Sequence, residues 1–201
     1  MTIVEDRPTA GHEAARKAMV DSQLRTSGVN AEPVLRRMAE VARERFVPEA
    51  ARGAAYIDRA IALGGGRHLA APVVHGMMLQ EALPGPNDRV LLVDGGSGYL
   101  AELLRPMVGA LEVVTPTEAV AASRKGGDFT LLVIDGAVEQ LPDALTRRLA
   151  DDARAVAGVV ESGVTRLAAD RKAAGNLALL PLIEIGIPVL GEFAAPKGWS
   201  F

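Results

Sequence analysis

The run Val90-Leu91-Leu92-Val93, followed at once by Asp94-Gly95-Gly96-Ser97-Gly98-Tyr99, decides the fold. Four consecutive apolar residues without alternation suit a strand buried on both faces, as in a parallel sheet. The glycines that end it let the backbone turn sharply and come close to a ligand. Leu100, Leu103, Leu104 and Met107 follow at helical spacing, and residues 111–114 mark a second strand, so the region reads as a β-loop-α-β unit. In open α/β sheets a ligand binds beyond the carboxyl ends of the strands, and amides at a helix start favour a negatively charged group. The loop lacks the third glycine of the dinucleotide spacing, and no Gly-Lys-Ser/Thr follows, so a nicotinamide fingerprint and a phosphate-binding P-loop both fit poorly. Taken alone, it is equally compatible with a tight turn that only packs helix on strand.

Downstream of this unit, residues 129–134 predict a third buried strand, 142–150 a helix and 155–160 a fourth strand. Residues 164–169 and 177–183 flank a turn-like 172–176 and predict an antiparallel pair that closes the sheet. Upstream, Ala14, Ala18, Met19 and Leu24 lie among charged residues, predicting an amphipathic helix over 13–25 that ends before Gly28. A second helix is expected from an Asn30 N-cap, with Pro33 in its first turn and Val34, Leu35, Met38, Val41 and Ala42 at helical spacing. Phe46-Val47-Pro48 closes it. Glycine-rich 64–72 reads as a loop and 73–83 as another helix. The whole predicts a doubly wound α/β fold with a mostly parallel sheet. A chain of 201 residues suits one domain, with 1–72 a helical extension plus loop and 73–201 the α/β core.

Aromatic residues make up only 3% of the chain, so the core must be built from Val, Leu, Ile, Ala and Met, and Met77, Met78 and Met107 read as core filler. Trp199 and Phe201 are expected to anchor the C-terminal segment. The net charge of -3, with both signs spread along the chain, gives no basic stripe for a row of phosphates, so nucleic acid is not an expected partner. The chain has no cysteine, which removes disulfides, thiolate nucleophiles and cysteine-based zinc sites together. His12, His68 and His75 lack the companions and spacing of a metal site, so no metal is expected. Residues 1–11 carry Glu5, Asp6 and Arg7 and no apolar run; they read as a flexible tail without a secretory core. Nothing approaches a membrane span of ~20 apolar residues, and a cytoplasmic location is the expectation.

Several separated motifs carry a resemblance. Residues 15–25 (Ala-Arg-Lys-Ala-Met-Val-Asp-Ser-Gln-Leu-Arg), Gly28-Val29, Val34-Leu35 and Glu44-Arg45-Phe46-Val47-Pro48 are followed by Tyr56-Ile57-Asp58, then by Gly64-Gly65-Gly66 running to Pro72. Pro86-Asn87-Asp88-Arg89-Val90-Leu91 and Gly96-Ser97-Gly98-Tyr99 come next. In this order they resemble the protein-L-isoaspartate O-methyltransferase family over nearly the whole chain. The resemblance implies a Rossmann-like class I methyltransferase fold, S-adenosylmethionine as cofactor, and a protein or peptide carboxylate as substrate. It places Asp94, Gly95, Gly96, Ser97 and Gly98, with Glu118, toward the cofactor, and Asp58, Arg67 and Ala70 toward the substrate.

The chain departs from the family pattern at three places. The active-site loop of the family usually ends Ser-Gln-Pro, whereas this one ends Ala70-Ala71-Pro72. Leu92 stands where the family has an acid near the end of the first strand, and Asp94 replaces the first glycine; Asp94 either faces the cofactor's ammonium or caps the following helix. Thr117 occupies the position of the ribose-binding carboxylate, with Glu118 beside it. Arg67 either meets a substrate carboxylate or is a solvated loop cation. Between Thr115 and Phe129 there is room for one crossover but not for a further strand and helix, so the sheet should lack one strand. Two functions follow: a carboxyl methyltransferase, or a member that keeps the fold, has lost the cofactor and binds a partner. The exposed edge beside the second strand makes a homodimer a further expectation.

Overall fold

The computed structural model describes residues 7–121 and 127–195; the expectation for Trp199 and Phe201 lies outside them. Helix α1 (Arg7–Met19) runs into a π-helical turn, Val20–Leu24. The expected tail therefore becomes helix from Arg7 onward. Met19, Val20 and Leu24 form the buried face, while Ala14 and Ala18 point outward. Helix α2 (Glu32–Glu40) is capped by Ala31 and not by Asn30. The amides of Asn30 and Ala31 are taken instead by Gln80 Oε1, at 2.7 and 3.1 Å. The helix stops short of Val41, which is extended, and 3-10 turns follow at Arg43–Phe46 and Glu49–Ala54.

The stretch expected to be a loop holds a small hairpin, β1 (Ile61–Gly64) with β2 (Arg67–Leu69), turned by Gly64, Gly65 and Gly66, all at positive φ. Three glycines without periodicity hide such a hairpin because its strands are too short to alternate visibly. Helix α3 (Pro72–Ala82) precedes β3 (Arg89–Val93), α4 (Tyr99–Leu104), β4 (Ala110–Val114) and α5 (Pro116–Val120). Then come β5 (Phe129–Val138), α6 (Asp143–Thr146), β6 (Leu149–Glu161), β7 (Val164–Arg171) and β8 (Leu180–Glu184). The helix expected over 142–150 is thus a single turn, and β6 begins where its second half was placed.

The six strands lie in the order β4-β3-β5-β6-β7-β8. β4, β3, β5 and β6 are mutually parallel, and β7 and β8 add antiparallel at one side, as the patterning predicted. Among the described residues β4 is the edge strand on the other side, and the crossover after it holds only α5, in line with the length argument. Alternate residues of β3 and β5 serve two cores. Val90, Leu92, Leu131 and Val133 pack with the N-terminal helices, α3 and α4. Leu91, Val93, Leu132 and Ile134 pack with Ala119 of α5, Leu145 of α6 and Phe193. Helices on both faces explain why these strands read as continuous apolar runs.

Asp88 pins the start of this sheet. Its carboxylate takes Arg154 Nη2 at 2.6 Å on each oxygen, the Gly85 amide at 2.8 Å and the Thr130 hydroxyl at 2.8 Å. Burial pushes the Asp88 carboxyl up, but these donors outweigh it and hold it below its ordinary value. A depressed carboxyl stabilises the fold above the ordinary carboxylate range, about 3.9, and the contribution disappears as pH falls through the lower folded value. We expect Asp88→Asn to cost about 2–3 kcal/mol near pH 7, since one partner of a largely buried pair is lost. In urea unfolding the gap from the parent protein should narrow steadily below about pH 4.

Candidate functional site

β3 passes to β4 on one side and the chain returns to β5 on the other, so the switch in strand order lies between β3 and β5. Their register pairs Val90 with Leu131 through to Val93 with Ile134, and the next residues are Asp94 and Asp135. Gly95 follows Asp94, and a Cβ there would overlap the Asp135 carbonyl oxygen. The approach of the β5 end therefore requires glycine at this position. Asp94 then folds the loop over itself: its carboxylate accepts the Gly96 amide at 3.0 Å and the Gly98 amide at 3.0 Å. Gly98, at φ +71°, is the N-cap of α4, and Ser97 Oγ accepts the Tyr99 amide at 3.1 Å. Asp94 thus caps the glycine loop as a whole and not the helix alone.

Burial, and then the charge of Asp135, push the Asp94 carboxyl above its ordinary value, against the Gly98 and Gly96 amides and His75. Asp135 Oδ1 lies 2.9 Å from His75 Nε2, and His75 Nδ1 lies 3.2 Å from Arg43 Nη1, with all three side chains buried. A guanidinium can only donate, so His75 accepts at Nδ1 and donates from Nε2 to Asp135. Arg43 also donates from Nε to the Ala55 carbonyl at 2.7 Å and from Nη2 to the Ala70 carbonyl. Its guanidinium sits 4.9 Å from the Tyr99 ring centroid. The second oxygen of Asp135, Oδ2, is buried without a hydrogen-bond partner among the described residues.

Several residues singled out in the sequence meet here and others do not. Asp58 Oδ1 accepts the Val73 amide at 3.2 Å, fixing the first turn of α3. Ala70 is buried, and it contributes its carbonyl to Arg43 in place of a hydroxyl to the cleft. Arg67 is not a solvated cation: its guanidinium pairs with Glu192, and its stem lies on Gly96, where a Cβ would stand 3.0 Å from Arg67 Cγ. Glu118 is exposed and closes a capping box with Thr115, its Oε2 2.8 Å from the Thr115 amide. Leu92 faces the core. Beside Asp58 and the end of the active-site loop opens a cleft of about 560 Å³, lined by His68, Ala71, Thr165, Ile187 and Pro188.

Arg43, His75, Asp135 and Glu192 escaped sequence reading. Asp135 carried a signal, an acid directly after the apolar run of a strand beside the switch point. Arg43, His75 and Glu192 carried none, because their positions depend on contacts far along the chain.

The sequence profile of the family described as protein-L-isoaspartate(D-aspartate) O-methyltransferase (PCMT) matches residues 14–123. The chain belongs to this family. A protein-L-isoaspartate O-methyltransferase of Nitrobacter winogradskyi is 30% identical, with 93% of this chain and 98% of the relative aligned. That of Herpetosiphon aurantiacus is 37% identical over 106 residues, 53% of this chain and 47% of the relative, so the match to this and several similar relatives spans about half their length. Among solved structures, a Plasmodium falciparum protein assigned as a protein-L-isoaspartate O-methyltransferase, in complex with S-adenosyl-L-homocysteine, superposes with a TM-score of 0.68. It covers 90% of this chain and 98% of its own at 17% identity, which establishes the PCMT fold. Among the described residues no helix is long and apolar enough to cross a membrane.

The PCMT switch point of this chain rests on a buried ionic chain, and its removal should be felt globally. Arg43→Met removes the buried cation that reaches Asp135 through His75 and leaves the buried Ala55 and Ala70 carbonyls without their donor, which should cost about 3–5 kcal/mol. Chemical denaturation should show that loss, whereas Arg45→Met, at an exposed neighbouring arginine, should stay within about 0.5 kcal/mol of the parent.

Proposed function

We propose that the chain transfers a methyl group from S-adenosylmethionine to the carboxylate of an isoaspartyl residue in a protein substrate. The observation that carries this reading is the carboxylate pair at the switch point, Asp94 and Asp135, with Asp135 Oδ2 buried and unsatisfied among the described residues. Buried anions of this kind suit a cationic ligand, and the cofactor carries both an ammonium and a sulfonium. The glycine loop adds room: at Gly98 an added Cβ would meet nothing within 4 Å. On this reading the loop from Asp94 to Gly98 receives the amino-acid part of the cofactor.

When bound, the cofactor supplies an electrophilic methyl on a good leaving group. The substrate carboxylate is already anionic, so this chain's residues need only position it and exclude water. The cleft beside Asp58, with its apolar wall of Ile187 and Pro188, would hold the peptide. Asp58 fixes the loop end at Val73, and Arg43 fixes it at Ala70, so the backbone of the loop is held in place without a serine hydroxyl. Arg67, at the mouth of the glycine loop, is held by Glu192 and is not assigned to the substrate carboxylate.

A second reading, a family member that has lost the cofactor and acts as a binding protein, has one observation behind it: the stem of Arg67, whose guanidinium pairs with Glu192, lies over Gly96. One titration separates the two. Calorimetry with S-adenosylhomocysteine should give saturable binding, and isoaspartyl peptide with labelled S-adenosylmethionine should yield labelled methyl ester. Absence of heat and of a thermal shift at ligand concentrations up to about 1 mM, the level of a 4 kcal/mol interaction, would overturn the methyltransferase reading.

A further inference from the structure

In open α/β sheets that bind a nucleoside, an acid at the carboxyl end of the second strand receives the ribose hydroxyls. Here β4 ends at Val114 and is followed by Thr115, the N-cap of α5, with Thr117, the residue matched by the family resemblance, in its first turn; neither carries a carboxylate. Glu118, next to Thr117, is exposed and turned outward, with one carboxylate oxygen accepting from the Thr115 amide and hydroxyl at 2.8 and 2.9 Å. A different carboxylate reaches this corner from the far end of the chain. The 3-10 turn Gly191–Phe193 is held against the end of β5: the Leu190 amide donates to the Ala137 carbonyl at 2.9 Å, and the Glu139 and Gln140 amides donate to the Phe193 carbonyl at 3.2 and 3.0 Å. Phe193 is buried in the core that includes Ala119 of α5, and the turn packs on α5 itself. Glu192, between these anchors, has no freedom to swing far away.

Its side chain remains 25% exposed, and its carboxylate takes both terminal nitrogens of Arg67, whose methylenes rest on Gly96. Glu192 is therefore joined to the glycine loop through Arg67, and its turn lies beside α5, which follows β4. The Arg67 guanidinium, chiefly, keeps its carboxyl below the ordinary value against partial burial, and the Thr117 hydroxyl adds to this. An ionised carboxylate at that place can accept two hydroxyl hydrogens, and it lies beside the residue that occupies the usual acid's position.

We propose that Glu192 supplies the carboxylate that receives the ribose hydroxyls of a bound adenosine-containing ligand, replacing the acid missing at Thr117, with Arg67 holding it in position. This rests on the cofactor reading above. The acid has moved from the strand end to the turn Gly191–Phe193, which packs on α5.

The test is calorimetry on the full chain with S-adenosylhomocysteine and with its 2′-deoxy analogue. Glu192→Gln should weaken S-adenosylhomocysteine about 10- to 100-fold, the worth of hydrogen bonds to a charged group. The same substitution should weaken the 2′-deoxy analogue much less, because one of the hydroxyls it serves is absent. Equal losses for both ligands, or binding by Glu192→Gln as tight as or tighter than the parent's, would overturn the proposal; the last result would make Glu192 an obstruction. Weakening by Glu118→Gln in place of Glu192→Gln would overturn it as well. If the parent protein binds neither ligand, the cofactor reading itself fails and takes the proposal with it. If the parent binds and Glu192→Gln is indifferent, only the assignment of Glu192 fails.

Discussion

Where the end of β5 presses on the turn after β3, Gly95 and the Asp135 carbonyl are so close that no side chain fits between them. This contact follows from the in-register parallel pairing of the two strands, and it fixes what the switch point can be. It sets Asp94 beside Asp135, forces the glycine loop to curl back on the Asp94 carboxylate, and leaves two acids in one corner, where burial and then the charge of Asp135 push the Asp94 carboxyl up.

Such a corner needs a counterweight inside the protein, and the N-terminal helical layer provides it. Arg43, from the 3-10 turn after α2, reaches Asp135 through His75 of α3 and ties both to the carbonyls of Ala55 and Ala70. The N-terminal extension is thereby joined to the ligand end of the sheet by hydrogen bonds as well as by apolar packing. Gln23 adds to this by donating to the Tyr56 carbonyl at 2.8 Å. The motifs that resemble the family most closely, around residues 15–25, 44–48 and 56–58, supply these contacts or the backbone around them, which gives their presence a physical reason.

Much of the fold could be read from the sequence, because the parallel strands are apolar on both faces and the antiparallel pair alternates. Among the described residues the crossover after β4 holds α5 alone, as the length of that stretch suggests. What escaped were features without a local signature. The hairpin at 61–69 is too short to show a period, the helix at 142–150 yields to pairing of β6 with β5, and Asn30 gives up its cap because Gln80 reaches the same amides from α3. In the site, the glycine loop was legible and its lining was not. Arg67 looked like a loop cation until Glu192, 125 positions away in sequence, was brought to it by the turn against β5.

The central claim is that the corner enclosed by Asp94, Asp135 and the glycine loop is the place where the adenosine-containing ligand binds. A nuclear magnetic resonance titration of the isotopically labelled protein with S-adenosylhomocysteine tests it residue by residue. The account predicts amide shifts concentrated at Asp94 to Tyr99, Asp135 to Ala137 and Gly191 to Phe193, with β7 and β8 unmoved. Saturable shifts confined to other surfaces, or none while the protein stays folded, would contradict it.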